Sequence, residues 1–279
     1  MLGTFYYLYA ECLTTTLHHS LNNVDALLLI TQFDSATDEH TIVALLRTLS
    51  QQMGFDHFRL GFISPSSIQR PEVRIFNGCP AQWVQAYDAQ RFFAVDPVVR
   101  KGMTQSTPIL WANLITECCD QQDAAGLEVM MLAQKAGLRD GITIPWHGPN
   151  GHVGLLSLIT RTPRTEHQWL SAIPFLSWLS NHVFEAVVRV CTTSTIPPRA
   201  PLSLRELEVC QWAAEGKQVS DIAQILGITP RTVTFHLERI AEKLGASSKG
   251  QAISWALKQG LVRLNIGAAE VGNISEISE

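Results

Sequence analysis

The sequence lacks the features that mark several common classes of protein. Its 279 residues carry 21 Lys and Arg against 25 Asp and Glu, and this net charge of −4 does not by itself indicate a nucleic-acid-binding chain. None of the six cysteines stands in a C-x-x-C pair, and their spacing fits neither a zinc site nor a disulfide framework. We therefore expect reduced thiols in a cytoplasmic protein.

The sequence also lacks a convincing membrane or export segment. The apolar opening, residues 1–22, has no basic stretch and contains Glu11. It is too short to cross a membrane and makes a weak signal peptide. We interpret it as an N-terminal extension whose role the sequence leaves open, and we expect no membrane partner.

What is present is the composition of a well-buried globular protein, 46% apolar and 16% charged, with length enough for two domains. The best boundary is a linker at residues 191–200, where prolines and a Thr/Ser cluster separate two helical patterns. Residues 1–199 carry 13 basic and 16 acidic side chains, a net of −3, whereas residues 200–265 carry 8 and 6, a net of +2. The positive bias therefore lies in the C-terminal part, before a tail at residues 266–279.

Residues 23–190 mix two hydrophobic periods. Helical spacing predicts helices over residues 23–33, 39–52, 80–90, 124–136 and 175–190. Alternation and flanking turn residues predict strands over residues 58–64, 72–76, 141–146 and 152–160. This mixture indicates an α+β fold, an α/β/α sandwich in which helices flank an antiparallel sheet.

Residues 201–265 are predicted to form an all-α, four-helix domain. Ser203 and Glu206 have the spacing of a capping box, Gly227 permits a tight turn, and Thr229 caps the helix that follows. A short helix, a glycine turn and a second helix are the order of a helix-turn-helix. The alternative is a structural helical hairpin whose polar face is only solvated.

The helix after Thr229 separates an apolar face from a polar one. The apolar positions recur at helical spacing and are expected in the core: Val233, Leu237, Ile240 and Leu244. The other face is the candidate DNA surface, because a helix N-terminus attracts phosphates while nearby side chains reach base edges. Its candidate DNA-binding residues are Thr229, Arg231, Thr232, Thr234, Phe235, His236, Glu238, Arg239 and Lys243.

These candidates divide by chemistry. Arg231, Thr232 and Lys243 suit phosphate contacts, which fix the register without reading the sequence. Thr234 and Glu238 are better placed for bases, and the Glu238 carboxylate is able to accept from cytosine N4.

The stretch LSLRELEVCQWAAEGKQVSDIAQILGITPRTVTFHLERIAEKLGASSKGQAISWALKQGLV resembles the LuxR-type DNA-binding domain from end to end, including Glu206, Gly216, the I-A-x-x-L-x-I run and T-V-x-x-H-L. Thr234 departs from the family, which usually has Lys there, and this leaves the operator preference open. A domain with a net charge near +2 neutralises few phosphates, so a homodimer on double-stranded DNA is the natural inference. The resemblance also implies RNA polymerase as a partner.

Residues 55–160 resemble the autoinducer-binding domain of acyl-homoserine-lactone receptors, in GFDHFRLGF, PAQWVQAYDAQRFFAVDPVV, PILW and GLRDGITIPWHGPNGHVGLLSL. The positions associated with lactone sensing are all present: Trp83, Tyr87, Asp96, Pro97, Trp111 and Gly141. The resemblance implies that residues 23–190 bind an N-acyl-homoserine lactone as a small-molecule autoinducer, with no cofactor or metal.

The polar side chains suit that ligand. Trp83 offers an indole N–H to the lactone carbonyl, Tyr87 a hydroxyl to the amide carbonyl, and ionised Asp96 accepts the amide N–H. Trp83 and Tyr87 lie four residues apart and share one helix face. Pro97 restricts Asp96 to extended backbone angles.

The resemblance adds further candidate ligand-binding residues. Trp111 packs on the head group, Thr143 and Ser157 bring hydroxyls near the amide, and Cys79 stands where relatives often have a tyrosine near the amide. The tail wall is assigned to Val98, Val99, Phe62, Ile75 and Leu127.

Plain alternatives accompany each assignment. The three aromatic residues also suit an ordinary core, Asp96 a helix or turn cap, and Ser157 an ordinary sheet position. Arg59 replaces a residue that is more often apolar; it either faces inward, where it needs a partner, or faces solvent.

The prediction is a ligand-responsive quorum-sensing transcription factor. The runner-up is a LuxR-type receptor for a different small molecule, or a ligand-independent antagonist. An enzyme with an appended DNA-binding domain is not expected, because His147 and His152 flank a turn without a partnered carboxylate or cysteine pattern.

Overall fold

The computed structural model describes residues 23–64, 71–192, 201–258 and 260–262. The chain divides between residues 195 and 196 into two compact units. The predicted N-terminal extension (residues 1–22), most of the predicted linker (residues 193–200) and the predicted tail (residues 266–279) lie outside the described residues.

The N-terminal unit alternates helices with short strands. In chain order its elements are α1 (Asn23–Ser35), α2 (Glu39–Gln52), β1 (His57–Ser64), β2 (Glu72–Asn77), α3 (Ala81–Ala89), α4 (Pro97–Gly102), β3 (Ile109–Leu110), α5 (Trp111–Asp120), α6 (Ala124–Lys135), β4 (Asp140–His147), β5 (Val153–Thr160) and α7 (Glu166–Thr192). The predicted α+β class is confirmed.

The strands form one five-stranded sheet in the order β2-β1-β5-β4-β3, and every neighbouring pair is antiparallel. Because side chains alternate across a strand, each strand presents one set to each face. On β1, Phe58, Leu60 and Phe62 point to one face, while Arg59 and Gly61 belong to the other.

The first face is covered by α1, α2 and α7, whose apolar side chains join those of the strands in a solid core. Helix α2 begins at a cap, because the Asp38 carboxylate accepts the Thr41 N–H at 2.8 Å. The second face is covered by α3 to α6 around a smaller apolar cluster.

Helix α7 is longer than its sequence pattern predicts. Helical spacing predicts a helix only over residues 175–190, and a proline inside a helix, such as Pro174, removes a backbone hydrogen bond and usually costs about 3 kcal/mol. The helix instead begins at Glu166 and runs through Pro174. Trp169 and Ala172 before the proline and Phe175 after it are all buried in the core, and this packing offsets the loss.

The C-terminal unit consists, in its described part, of α8 (Leu204–Ala214), α9 (Val219–Leu226), α10 (Pro230–Leu244) and α11 (Lys249–Lys258). Ser203 and Glu206 form the predicted capping box at the start of α8. Gly227 ends α9 at a φ of 63°, a conformation that glycine adopts without strain. The predicted four-helix domain is confirmed.

Candidate ligand pocket and nucleic-acid interface

A cavity of about 60 Å³ lies between the second face of the sheet and helices α3 to α6. Its wall is mostly apolar, with a few polar groups among aromatic side chains. The lining residues are Arg59, Gly61, Ile63, Ile75, Cys79, Trp83, Tyr87, Phe93, Asp96, Val98, Val99, Trp111, Val129, Met130, Ala133, Leu138, Leu155, Ser157 and Ile159.

Trp83 and Tyr87 enter the cavity from one face of α3, as their spacing predicts. Both side chains are buried, and their rings meet edge to face with centroids 5.7 Å apart. The ring of Phe92 packs against both of them. The indole N–H of Trp83 donates to no acceptor among the described residues, so it is available to a ligand carbonyl.

Asp96 places its carboxylate beside Tyr87. One oxygen accepts the Tyr87 hydroxyl at 2.8 Å, and the other accepts the Val98 N–H at 2.8 Å and caps α4. Burial raises the pKa of Asp96 above its usual range, against the two hydrogen bonds and the charge of Arg59, which favour the ionised form. Burial and the neighbouring Asp96 also raise the pKa of Tyr87, so its hydroxyl keeps its proton and remains a donor.

Trp111 is held in place by a short chain of hydrogen-bonded hydroxyl groups. Its indole N–H donates to the Thr143 hydroxyl at 3.0 Å, and the Thr143 and Ser157 hydroxyls lie 2.8 Å apart. Gly141 is required beneath the indole, because an added Cβ would lie 2.9 Å from Trp111 Cδ2 and 3.2 Å from the Leu158 carbonyl oxygen. Thr143 is fully buried behind Trp111 and Ser157 and does not itself line the cavity.

Arg59 faces inward, which the sequence left open. Its guanidinium carbon lies 4.3 Å from the centroid of the Tyr87 ring. Its Nη1 is buried, and the guanidinium makes no hydrogen bond or ion pair with the described residues. The pocket therefore contains a positive charge as well as the Asp96 carboxylate.

The structure brings most of the remaining candidates together but not all. Ile75, Cys79, Val98 and Val99 line the cavity; burial raises the pKa of the Cys79 thiol to about 11, so it is a neutral wall residue. The assignment of Phe62 to the tail wall is wrong, because Phe62 lies on the opposite face of β1 and stacks on His152 with ring centroids 5.3 Å apart.

Leu127 is also absent from the cavity wall. Helix α6 contributes Val129, Met130 and Ala133 instead, one face of the helix that does not include residue 127. The spacing of these three positions is the sequence signal that would have located them. No sequence signal pointed to Leu138, whose place depends on how the loop before β4 folds back.

Helix α10 separates its faces as predicted. Val233, Leu237, Ile240 and Leu244 are all buried in the core of the C-terminal unit. Thr229 caps the helix through its hydroxyl, which accepts the Thr232 N–H at 3.1 Å. Most of the candidate DNA-binding side chains lie on the accessible faces, with Thr229, Arg231, Phe235, Glu238 and Arg239 exposed and Thr232, Thr234 and His236 half-buried.

Lys243 differs from the other candidates. Its ammonium donates to the Glu206 carboxylate at 2.7 Å and to the Pro201 carbonyl at 3.0 Å, inside the domain. Burial raises the pKa of Glu206, but the hydrogen bonds from Lys243 and Ser203 outweigh it and hold the pKa below its usual range. Lys243 is thus engaged as a structural group, which the prediction of a phosphate contact did not anticipate.

No group of three or more His, Cys, Asp or Glu side chains in the described part of the chain is placed to hold a metal ion. Among the described helices, none combines the length and apolar character that a bilayer-spanning segment requires.

A pocket-bearing α+β domain joined in one chain to a helix-turn-helix domain defines a ligand-responsive transcription regulator. Residues 38–187 match the family described as "Autoinducer binding domain", and residues 200–256 match "Bacterial regulatory proteins, luxR family". The chain belongs to the LuxR family of bacterial transcription regulators. It binds a small-molecule autoinducer and DNA.

Named relatives agree with this assignment. The transcriptional activator protein AhyR of Aeromonas hydrophila is 39% identical over 249 residues, 88% of this chain and 95% of the relative. The crystal structure of Escherichia coli SdiA is similar with a TM-score of 0.69 at 26% identity, covering 86% of this chain and 98% of SdiA. The structure of SdiA in complex with octanoyl-rac-glycerol is similar with a TM-score of 0.67 at 26% identity, covering 85% of this chain and 94% of that SdiA chain. The expectation that the chain is not an enzyme is confirmed by this membership.

Proposed function

We infer that the chain is a cytoplasmic quorum-sensing receptor for an N-acyl-homoserine lactone, which acts as a homodimer on a two-fold-symmetric promoter site. The observation that carries this proposal is the convergence of the Trp83 indole, the Tyr87 hydroxyl and the Asp96 carboxylate on one cavity. An acyl-homoserine lactone offers two carbonyl acceptors, one amide N–H and an apolar tail. The donors, the acceptor and the apolar wall match that set.

Binding is proposed to proceed by exchange of hydrogen bonds. The Tyr87 hydroxyl has one proton, which it donates to Asp96. When the ligand amide N–H takes that place on Asp96, the Tyr87 hydroxyl is released to donate to the amide carbonyl. Trp83 donates to the lactone carbonyl, Trp111 packs on the lactone ring, and Ser157 lies near the amide. The number of satisfied polar groups therefore rises on binding.

The signal is proposed to reach DNA through stability and assembly. A ligand that fills the cavity completes the second face of the sheet, and a ligand bound only by the folded state stabilises that state by mass action. Two copies of α10 double the contacts to phosphates and bases, which compensates for the small positive charge of one C-terminal domain. Promoter activation then requires contact with RNA polymerase.

A second candidate ligand is an acylglycerol, favoured by the solved complex of SdiA with octanoyl-rac-glycerol. Such an ester has hydroxyl donors and a carbonyl acceptor but no amide N–H. The Asp96 carboxylate would then accept a ligand hydroxyl. A receptor for a different small molecule and a ligand-independent antagonist remain the functional alternatives.

The experiment measures the melting temperature and soluble yield of the full chain with a panel of acyl-homoserine lactones, their ring-opened acids and octanoylglycerol. A lactone at about a hundred times its Kd should raise the melting temperature by about 5–10 °C, and its ring-opened acid should not. A rise with octanoylglycerol but with no lactone would replace the lactone assignment by the second candidate. No rise with any compound would favour the antagonist.

A further inference from the structure

Arg59 adds a positive charge to a pocket whose wall is mostly apolar and also contains the Asp96 carboxylate, whose ionised form this charge favours. The side chain lines the cavity, its Nη1 is buried, and no described residue accepts a hydrogen bond from its guanidinium. The Tyr87 ring partly compensates the charge through its face. A guanidinium nitrogen that is buried without an acceptor is unfavourable, so an apolar group that covers more of this half-buried side chain adds to that cost.

The sheet register fixes where this charge lies. Arg59 on β1 is opposite Ser157 on β5, and Ser157 is opposite Thr143 on β4, which accepts the Trp111 indole N–H. Thr143, Ser157 and Arg59 therefore form one row across the adjacent strands β4, β5 and β1, and Trp111 is hydrogen-bonded to the Thr143 end of that row. Neighbouring strands are about 4.8 Å apart, so Arg59 lies one strand beyond the hydroxyl that meets the ligand amide.

A lactone whose ring packs on Trp111 and whose amide lies near Ser157 extends its acyl chain over β1. An extended chain advances roughly 1.3 Å per bond, so about four carbons cover one strand spacing. A longer apolar chain has to pass the Arg59 guanidinium and shield more of it from solvent.

We propose that Arg59 limits the acyl chain, so that the pocket selects lactones with short unsubstituted chains of about four to six carbons over long ones. This inference rests on the proposed lactone function and adds the chain length.

The test is an internal competition. The full chain is produced in medium that contains an equimolar series of unsubstituted lactones from butanoyl to dodecanoyl, and the lactones that copurify are quantified by mass spectrometry. Arg59→Met removes the charge and keeps an unbranched side chain. Arg139→Met is the matched control, because Arg139 is exposed and does not line the cavity.

The unsubstituted protein should retain butanoyl and hexanoyl lactones in preference to decanoyl and dodecanoyl lactones. Arg59→Met should lower that ratio by about tenfold or more, and Arg139→Met should leave it unchanged. Arg59→Gln, which stays polar without the charge, should lie between, and it serves as the second variant if the methionine variant does not fold.

The outcomes separate this inference from the function on which it rests. Preferential retention of long chains by the unsubstituted protein overturns the inference alone. An unchanged ratio in both Arg59 variants does the same. If no lactone copurifies with the folded protein, the lactone assignment fails and the inference fails with it.

Discussion

At the scale of single residues, the carboxylate of Asp96 meets two requirements. One oxygen caps α4 and the other accepts the Tyr87 hydroxyl inside the pocket. The sequence offered a cap and a ligand group as alternatives, and the geometry is compatible with both at once. The cap holds the carboxylate in place, so the pocket-facing oxygen is positioned before a ligand arrives.

Lactone affinity is expected to fall as the pH is lowered through the pKa of Asp96. Burial raises this pKa, and a proton on the carboxyl competes with the ligand amide N–H. The stability of the ligand-free domain depends on pH in the opposite direction to lactone affinity. The buried site favours the protonated form of Asp96, so stability is lost as the pH rises through the raised pKa of this carboxyl.

Titration calorimetry from acidic to neutral pH measures this dependence. Asp96→Asn should weaken binding by about tenfold or more, since a charged hydrogen bond contributes about 1.5–3 kcal/mol, and should abolish the slope. A dissociation constant of the unsubstituted protein that does not change with pH would count against a role for Asp96 as the acceptor.

Gly141→Ala should weaken lactone binding through Trp111. The added Cβ meets the indole at 2.9 Å and the Leu158 carbonyl oxygen at 3.2 Å, so the ring has to move, and overpacking of this kind costs about 1–3 kcal/mol. Tryptophan fluorescence titration gives the affinity. Gly250→Ala, which places its Cβ in open space in the other unit, is the control and should bind as before. Equal affinities would show that Trp111 tolerates the shift.

At the scale of elements, helices such as α2 and α10 followed from hydrophobic period, because each buries one face. Helix α5 (Trp111–Asp120) was not predicted, although Trp111, Leu114 and Cys118 have helical spacing, because its remaining positions mix polar and apolar side chains. Phe62 was misplaced for a related reason. Both faces of β1 are covered, so apolar character alone does not tell the pocket face from the core face.

Helix α10 carries two cations in different environments. Arg231 is exposed, whereas Lys243 is hydrogen-bonded to the Glu206 carboxylate inside the domain. Arg231→Ala should leave stability nearly unchanged but lower DNA affinity and reduce the salt dependence of binding by about one ion. Lys243→Met should mainly destabilise the C-terminal domain, by about 1–3 kcal/mol, because it removes a partner of the buried Glu206 carboxylate.

Denaturation and salt-dependent DNA binding of the two full-length variants measure both effects. A Lys243→Met variant of normal stability with a reduced salt slope would restore Lys243 as a phosphate contact. A destabilised variant with an unchanged slope would assign it to the domain interior.

At the scale of the whole molecule, the charge difference between the parts of the chain follows from the sequence, whereas the coupling between ligand and DNA does not. If lactone and DNA stabilise the same dimer, each must raise the affinity for the other by the same factor. The measurement uses the full chain and a symmetric duplex selected from random DNA by the lactone-bound protein. Duplex affinity is compared with and without lactone, and lactone affinity with and without duplex. Factors that both equal one would exclude such coupling.

The two faces of the N-terminal sheet differ in how they are packed. Helices α1, α2 and α7 cover one face with a continuous apolar core that needs no small molecule, whereas α3 to α6 surround the cavity on the other face. Substitutions that change which signal is recognised therefore fall on the side that contributes least to the permanent core. We expect such a scaffold to accept new chemical signals over evolution while the half that guides folding stays intact.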